Sequence, residues 1–243
     1  PEGEPRPYGG RLALSGGGIS PRRAGDSLFN ALISQPDPMK IKWSGRSLLI
    51  NTAQFIITLD LSKKKGLVRY RSGAGMADLI RLLYAVLLLK KGGFFLHASA
   101  VVHQEKVYVF CGSSGSGKTT ITRLAGTRPV LTDETTAVIK KHGNYYGYAT
   151  PFYGDAGPSK NNSGAPLKTI LFINKNHRFS FKPLKHGEAI RHFLPNIFMA
   201  SNDKQWIDRV FENLLLLTKR IQCYNLNFRP ETKLWRYLDE HLK

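Results

Sequence analysis

The chain has 243 residues, and its hydrophobic content of 42% suffices for one large domain or a main domain with a small appendage. Its formal net charge of +19 suits a polyanionic partner, such as nucleotides, nucleic acid, acidic peptides or an anionic membrane surface, but the basic residues are spread over the whole chain, and the alternative that the charge has no specific meaning stays open. Two distant cysteines, Cys111 and Cys223, exclude a disulfide framework and a cysteine metal site, and they favour a cytoplasmic location.

The first 38 residues are rich in proline and glycine and have few periodic apolar positions. This composition predicts a flexible arm over residues 1–38. We expect no secretory signal, because an apolar core region is lacking there. The longest apolar stretch of the whole chain, 79–89, is far shorter than the roughly 20 residues that cross a bilayer. We therefore expect no membrane span.

Residues 39–76 form short apolar runs separated by turn signals, which predicts a small β subdomain. The pattern indicates a meander of three or four strands, and its runs are 40–43, 47–50, 55–59 and 67–70. An almost continuous apolar segment, 77–89, follows and has the length of a helix packed on a sheet. We expect the main domain to span 77–243.

Two strands, 94–102 and 106–111, precede a complete G-x-x-x-x-G-K-[ST] motif at 112–119. Such a loop curls its backbone N–H groups around phosphate oxygens, and the predicted helix 120–125 begins directly behind it. Lys118 is expected to reach the β- and γ-phosphates, and the Thr119 hydroxyl is a candidate Mg²⁺ ligand. The predicted nucleotide-binding residues are Gly112, Ser113, Ser114, Gly115, Ser116, Gly117, Lys118, Thr119 and Thr120.

The next predicted strand, 128–132, ends in Asp133 and Glu134. Ligands of open α/β sheets bind at the carboxyl ends of strands, so Asp133 is expected to face the phosphates. A carboxylate there can bind Mg²⁺ or accept the proton of an attacking hydroxyl. Glu134 offers a second acid, and how the two share these roles stays open.

The remaining sequence predicts a hairpin, 136–140 with 145–149, a polar loop at 154–164 and a strand at 167–173. Helices are expected at 186–199, 204–224 and 233–242. The whole pattern predicts an α/β protein with a mixed sheet and carboxyl-terminal helices. Asp155, in the polar loop, is either a further metal or substrate ligand or an ordinary turn residue.

Three segments together resemble the HPr kinase/phosphorylase family: 93–102, which contains His97, the phosphate loop with its strand, 109–120, and 131–134. The similarity is closest to small HPr-kinase-like proteins, including those of lasso-peptide pathways, and extends over about 77–200. Segments 150–155 and 188–195 also look like that subgroup. The family usually has two aspartates where this chain has Asp133 and Glu134.

The resemblance implies a fold shared with the nucleotide-binding domain of phosphoenolpyruvate carboxykinase, and ATP-dependent phosphorylation of a serine hydroxyl. By this analogy Lys118 and Thr119 hold phosphates and metal, Asp133 is the general base, and His97 lies close to the phosphate and metal. The catalytic candidates are therefore Asp133, His97 and Lys118, and the metal candidates are Thr119, Asp133 and Glu134. The expected cofactors are ATP and Mg²⁺.

The leading interpretation is a serine kinase acting on a protein or peptide, with an acidic acceptor suited to the positive charge. Two alternatives stay open: a kinase of a small molecule or nucleic-acid end, and a non-catalytic ATP-binding regulator. No run of alternating basic and aromatic residues marks a nucleic-acid groove. The sequence leaves open the identity of the acceptor, the phosphorylase reaction and the formation of homo-oligomers.

Overall fold

The computed structural model of the chain describes residues 40–52, 54–70, 75–155, 157 and 164–242. The chain divides into two compact units, the first ending at Leu83 and the second beginning at Tyr84. The predicted arm 1–38 and residues 156 and 158–163 of the predicted polar loop lie outside the described residues.

The first unit contains a four-stranded antiparallel sheet in the order β1-β2-β3-β4. Its side chains alternate between buried and exposed, as expected when one face of a sheet is covered. Leu48, Ile50 and Ile57 on the covered face are completely buried. The strands are β1 (Lys40–Ser44), β2 (Ser47–Asn51), β3 (Phe55–Asp60) and β4 (Lys65–Tyr70).

Helix α1 (Met76–Lys90) contains the boundary between the units, and the second unit continues with a mixed eight-stranded sheet. The strand order is β11-β12-β10-β6-β5-β8-β9, and β7 pairs with β5. The strands are β5 (Phe94–His103), β6 (Lys106–Cys111), β7 (Val130–Thr132), β8 (Thr135–Lys141), β9 (Asn144–Tyr148), β10 (Gly164–Lys175), β11 (Ser180–Pro183) and β12 (Cys223–Phe228).

Strand β10 closes part of this sheet on itself. Its first residues, Gly164 to Pro166, pair antiparallel with β9, and its later residues pair parallel with β6 and β12. Strands β5, β6, β10, β9 and β8 therefore form a continuous ring of hydrogen-bonded neighbours. Ring closure gives β9 a partner on each side, so this strand is not an open edge where it pairs with β10.

Helices cover both faces of the large sheet. Successive strand residues point to opposite faces, and each face forms an apolar cluster with side chains of two helices. One cluster joins Leu96, Ala98 and Val109 to side chains of α3 and α4. The other joins Val101 and Phe110 to side chains of α2 and α5. The helices are α2 (Lys118–Arg123), α3 (His186–Phe193), α4 (Lys204–Thr218) and α5 (Leu234–His241). The unit is thus an α/β structure with a mixed sheet between helical layers.

Two predicted helices were too long. The predicted helix 186–199 ends at Phe193 and continues only as a 3₁₀ turn, Leu194–Asn196, since Pro195 cannot continue an α-helix. The predicted helix 204–224 ends at Thr218, and Cys223 begins strand β12. Strand β11 was not predicted. No helix in the described part of the chain is long and apolar enough to cross a membrane.

Candidate active site

The candidate site lies at one edge of the large sheet, where several strands finish. Strands β6, β10 and β12 run parallel to one another, and β7 has the same direction because both β6 and β7 are antiparallel to β5. Their carboxyl ends therefore meet at a common edge. In α/β sheets this is the edge at which ligands bind.

Strand β5 lies between the Gly-rich loop and the acidic pair. Ala98 is opposite Cys111 of β6 on one side, and its N–H donates to the carbonyl of Glu134 on the other side at 2.9 Å. With two strand spacings between them, the backbones of Gly112 and Asp133 are separated by about 10 Å. The structure therefore brings these two predicted features to the same edge.

The loop 112–117 has the backbone conformation that its glycines permit. Gly115 has φ +79° and Gly117 has φ +112°, a region that favours glycine. Apart from its two neighbours in the chain, no described residue has an atom within 4 Å of the position of a Cβ at Gly115, so the loop is open there. A Cβ at Gly117 would lie 2.6 Å from the Phe228 ring, so this glycine is needed for close packing as well.

The Lys118 amine is folded back over this loop. Its Nζ donates to the carbonyl oxygens of Gly112, at 2.7 Å, and Ser113, at 3.0 Å, although the side chain is buried. Ser116 lies inside the same turn, and its buried Oγ has no hydrogen-bond partner among the described residues. An unsatisfied buried hydroxyl is costly, and a phosphate oxygen is a suitable acceptor for it.

Asp133 is buried, with only 3% of its surface exposed, at the end of β7. Its Oδ1 accepts a hydrogen bond from the backbone N–H of Gly154 at 2.8 Å. A Cβ at Gly154 would lie 3.0 Å from Oδ2, so the glycine also leaves room for the carboxylate. The segment after β9 therefore holds this side chain in a defined orientation.

Two threonines fix the turns around Asp133. The Thr132 Oγ1 accepts from the N–H groups of Glu134 and Thr135, at 3.2 and 3.3 Å, which stabilises the turn from β7 to β8. The Thr150 Oγ1 donates to the carbonyl of Thr135 at 2.6 Å. The ring of Phe152 packs edge-on against Phe95 of β5. These contacts anchor 150–152 against the start of β8 and against β5.

The other predicted site residues lie at the same edge. His97 is half-buried, is opposite Thr135 of β8, and points to the face of the sheet that α2 covers, since it alternates with Leu96 and Ala98. Glu134 is half-buried, and Thr119 and Thr120 are half-buried in the first turn of α2. Asp155 is exposed, and its carboxylate lies 3.9 Å from the Arg123 guanidinium.

Sequence reasoning missed several residues that shape this edge. Phe228, at the end of β12, and the stem of Lys175, at the end of β10, both pack against Gly117. Gly154 lies within the predicted polar loop 154–164, and the sequence assigned it no role in the site. No local signal marks these contacts, because each partner is distant in the chain and is brought in by the sheet.

Cys111, the residue before the loop, is a buried core residue. Burial raises the pKa of its thiol far above the ordinary value, although the positive charge of Lys118 opposes this shift slightly. Because the thiolate is the reactive form, Cys111 has no nucleophilic role at neutral pH.

The residues of this edge fit a nucleoside triphosphate with Mg²⁺. The open turn at Gly115, the unpartnered Ser116 hydroxyl and the buried Lys118 amine suit phosphate oxygens. The described residues contain no cluster of three His, Cys, Asp or Glu side chains that could hold a metal. The carboxylates at this edge are those of Asp133 and Glu134. They suit Mg²⁺, because this ion is commonly held by one or two carboxylates together with substrate phosphates.

The fold and the residues at this edge define the class of protein: an α/β protein with a phosphate-loop sequence at the carboxyl edge of a mixed sheet. The chain belongs to the SynChlorMet cassette protein ScmC family, whose model matches residues 73–243. No curated protein matches the chain. Its structure is similar to the Hpr(Ser) kinase/phosphatase from Coxiella burnetii, with 8% identity and a TM-score of 0.36, over 60% of this chain and 94% of that one.

Proposed function

We propose that the chain is an ATP- and Mg²⁺-dependent serine kinase that phosphorylates a protein or peptide, such as the precursor of a modified peptide. The observation that carries this proposal is the position of Asp133, which is buried, is oriented by Gly154, and is separated from β6 and its phosphate-loop sequence by the single strand β5. The sequence resemblance of 93–134 to HPr kinases and their carboxykinase-like fold supports the same reaction. The two free thiols support a cytoplasmic location.

ATP would supply the transferred γ-phosphoryl group, and Mg²⁺ would offset the charge on the phosphate oxygens. The loop N–H groups, the Ser116 hydroxyl and the Lys118 amine would bind those oxygens. Lys118 would exchange its two carbonyl partners, Gly112 and Ser113, for phosphate. The Thr119 hydroxyl, with Asp133 or Glu134, would hold the metal.

Asp133 would accept the proton of the serine hydroxyl as its oxygen attacks. Burial and the Gly154 hydrogen bond fix one carboxylate oxygen, Oδ1, and so limit the rotation of the group. Such fixed positioning is the main contribution that a protein makes to phosphoryl transfer. His97, on the α2 face of β5, would lie beside the phosphates and help to position them.

The test is phosphate transfer from labelled ATP to a serine-containing peptide library. We expect Lys118→Ala to abolish nearly all transfer, and Asp133→Asn to keep ATP binding while turnover falls by a factor of about 10² or more. Asp208→Asn, an exposed acid on α4, is the matched control and should behave as the wild type.

Unchanged transfer in Asp133→Asn would refute its role as general base. Tight ATP binding without transfer to any acceptor would identify the chain as a non-catalytic regulator instead. Transfer to oligonucleotide ends but not to peptides would identify the other alternative, a nucleic-acid kinase.

A further inference from the structure

The first unit presents one apolar and one cationic sheet face, and the strand register determines which residues lie on each. Ile41 is opposite Ile50, Ile50 opposite Ile57, and Ile57 opposite Val68. This row and its neighbours form the covered face. Residues between them belong to the other face, which we call the outer face; it comprises Lys40, Lys42, Leu49, Ile56, Thr58, Lys65, Leu67 and Arg69, with Ser44, Ser47, Asn51 and Asp60.

Basic side chains dominate the outer face. It carries Lys40, Lys42, Lys65 and Arg69, and all four are exposed, whereas Asp60 is its single acid among the described residues. Nearby turns add Arg46, Lys63 and Lys64, which are also exposed. Asp60 is already engaged, because its carboxylate accepts from two N–H groups and lies 3.6 Å from Lys63. The face therefore has a local excess of positive charge.

Two exposed leucines lie in the middle of this cationic face. Leu49 and Leu67 lie in one cross-strand row with Lys42 and Thr58, and they are 39% and 57% exposed. Leu67 lies between Lys65 and Arg69 on β4, the last strand of the sheet. Exposed leucine on an edge strand is unfavourable for a sheet in water, and an added strand would cover it.

The chemistry of the face selects an acidic peptide over nucleic acid. All three aromatic residues of the sheet, Trp43, Phe55 and Tyr70, lie on the covered face according to the register. The outer face therefore has no ring on which a base could stack, although stacking is a main source of single-strand binding. An extended peptide can instead pair with the β4 backbone and place alternate side chains on this face.

We propose that the outer face and the β4 edge dock an extended acidic segment of the peptide acceptor. Carboxylates of the segment would pair with Lys42 and Arg69, and apolar residues would cover Leu49 and Leu67. This inference rests on the proposed function for its statement that the ligand is the acceptor. The docking itself requires neither ATP nor Lys118.

The test is fluorescence anisotropy with the full chain and a labelled peptide of about ten residues in which Glu and Val alternate. We expect saturable binding that the double variant Lys42→Glu/Arg69→Glu weakens at least tenfold. Leu67→Thr keeps a strand-favouring residue and should weaken binding several-fold without changing the charge. The control variant, Lys219→Glu/Lys233→Glu, changes the net charge equally in the second unit and should bind as the wild type.

Equal peptide binding by the wild type and the outer-face double variant would overturn the proposal. It would also be overturned if that variant lost binding to oligo-dT or to anionic vesicles but kept binding to the peptide. Circular dichroism checks folding, and Lys42→Gln/Arg69→Gln replaces the reversal variant if it unfolds. Lys118→Ala separates the two proposals: it should keep peptide binding and lose phosphate transfer. If the wild type binds the Glu/Val peptide but transfers no phosphate to the serine-containing peptide library, docking stays intact and the kinase is refuted.

Discussion

At the scale of single residues, the position of Asp133 depends on Gly154, a partner that lies beyond an intervening hairpin. The Gly154 N–H holds Oδ1, and the absence of a Cβ leaves space for Oδ2. Spacing of motifs along the sequence predicted Asp133, because strand, acid and phosphate loop follow one another locally. The same spacing could not predict Gly154, which only the return of the chain after β9 brings to the carboxylate.

Gly154→Ala tests this positioning. Its methyl group would lie 3.0 Å from Oδ2 and push the carboxylate by a few tenths of an ångström. We expect ATP affinity to change by less than about twofold, while turnover falls about tenfold, because small displacements of a reacting group are costly. Steady-state kinetics and nucleotide titration measure the two effects.

Gly187→Ala is the matched control, since a Cβ there would meet no atom within 4 Å in the described part of the chain beyond its own helix and neighbours. Wild-type turnover in Gly154→Ala would mean that the carboxylate orientation does not limit the reaction.

At the scale of elements, the sequence predicted strands whose apolar pattern is local and failed where pairing is distant. The four strands of the first unit and strands β5, β6 and β8 lie where their alternation indicated. The predicted helix 204–224 includes the first two residues of β12, because Leu214–Leu217 and Ile221 continue a helical apolar pattern up to it. Its strand conformation follows from parallel pairing with Ile170–Lys175, a partner that no local window contains.

Helix α5 is attached to the sheet by a polar cluster at the edge opposite the phosphate loop. His103 Nε2 lies 2.7 Å from Asp239 Oδ1, and Arg128 Nε donates to His103 Nδ1 at 2.9 Å. Since Nδ1 accepts this bond, the imidazole proton lies on Nε2 and is donated to Asp239. The Arg128 guanidinium also lies over the Trp235 ring, 4.7 Å from its centre.

Removal of the central histidine should loosen α5 without affecting the site. His103→Ala breaks both bonds, and we expect it to lower the free energy of unfolding by about 1–3 kcal/mol. Urea denaturation followed by tryptophan fluorescence measures this change, and ATP affinity should stay at the wild-type value.

Gln104→Ala provides the comparison, because exposed Gln104 donates to the same carboxylate at 3.2 Å and should contribute less than about 0.5 kcal/mol. Equal losses in both variants would contradict the central role of His103.

At the scale of the whole molecule, the second unit keeps both thiols of the chain in one apolar cluster. Burial raises the pKa of Cys223 to about 12 and that of Cys111 further. In the unfolded chain both thiols return to about 8.5. Above that pH the unfolded chain binds fewer protons than the folded one, so the free energy of unfolding must fall as the pH rises.

We therefore expect the thiols to cause no change of the free energy of unfolding with pH below about pH 8.5. Above this pH, each thiol should lower the free energy of unfolding by about 1.4 kcal/mol per pH unit. Urea denaturation at several pH values between about 8 and 9.5 measures this slope before most tyrosines ionise. The double variant Cys111→Ala/Cys223→Ala should be less stable throughout but should show a much shallower slope, since no thiol remains to ionise. If the free energy of unfolding falls equally with pH in the wild type and the variant, the thiols do not cause the loss of stability at alkaline pH. That result would contradict the burial of both thiols in the folded chain.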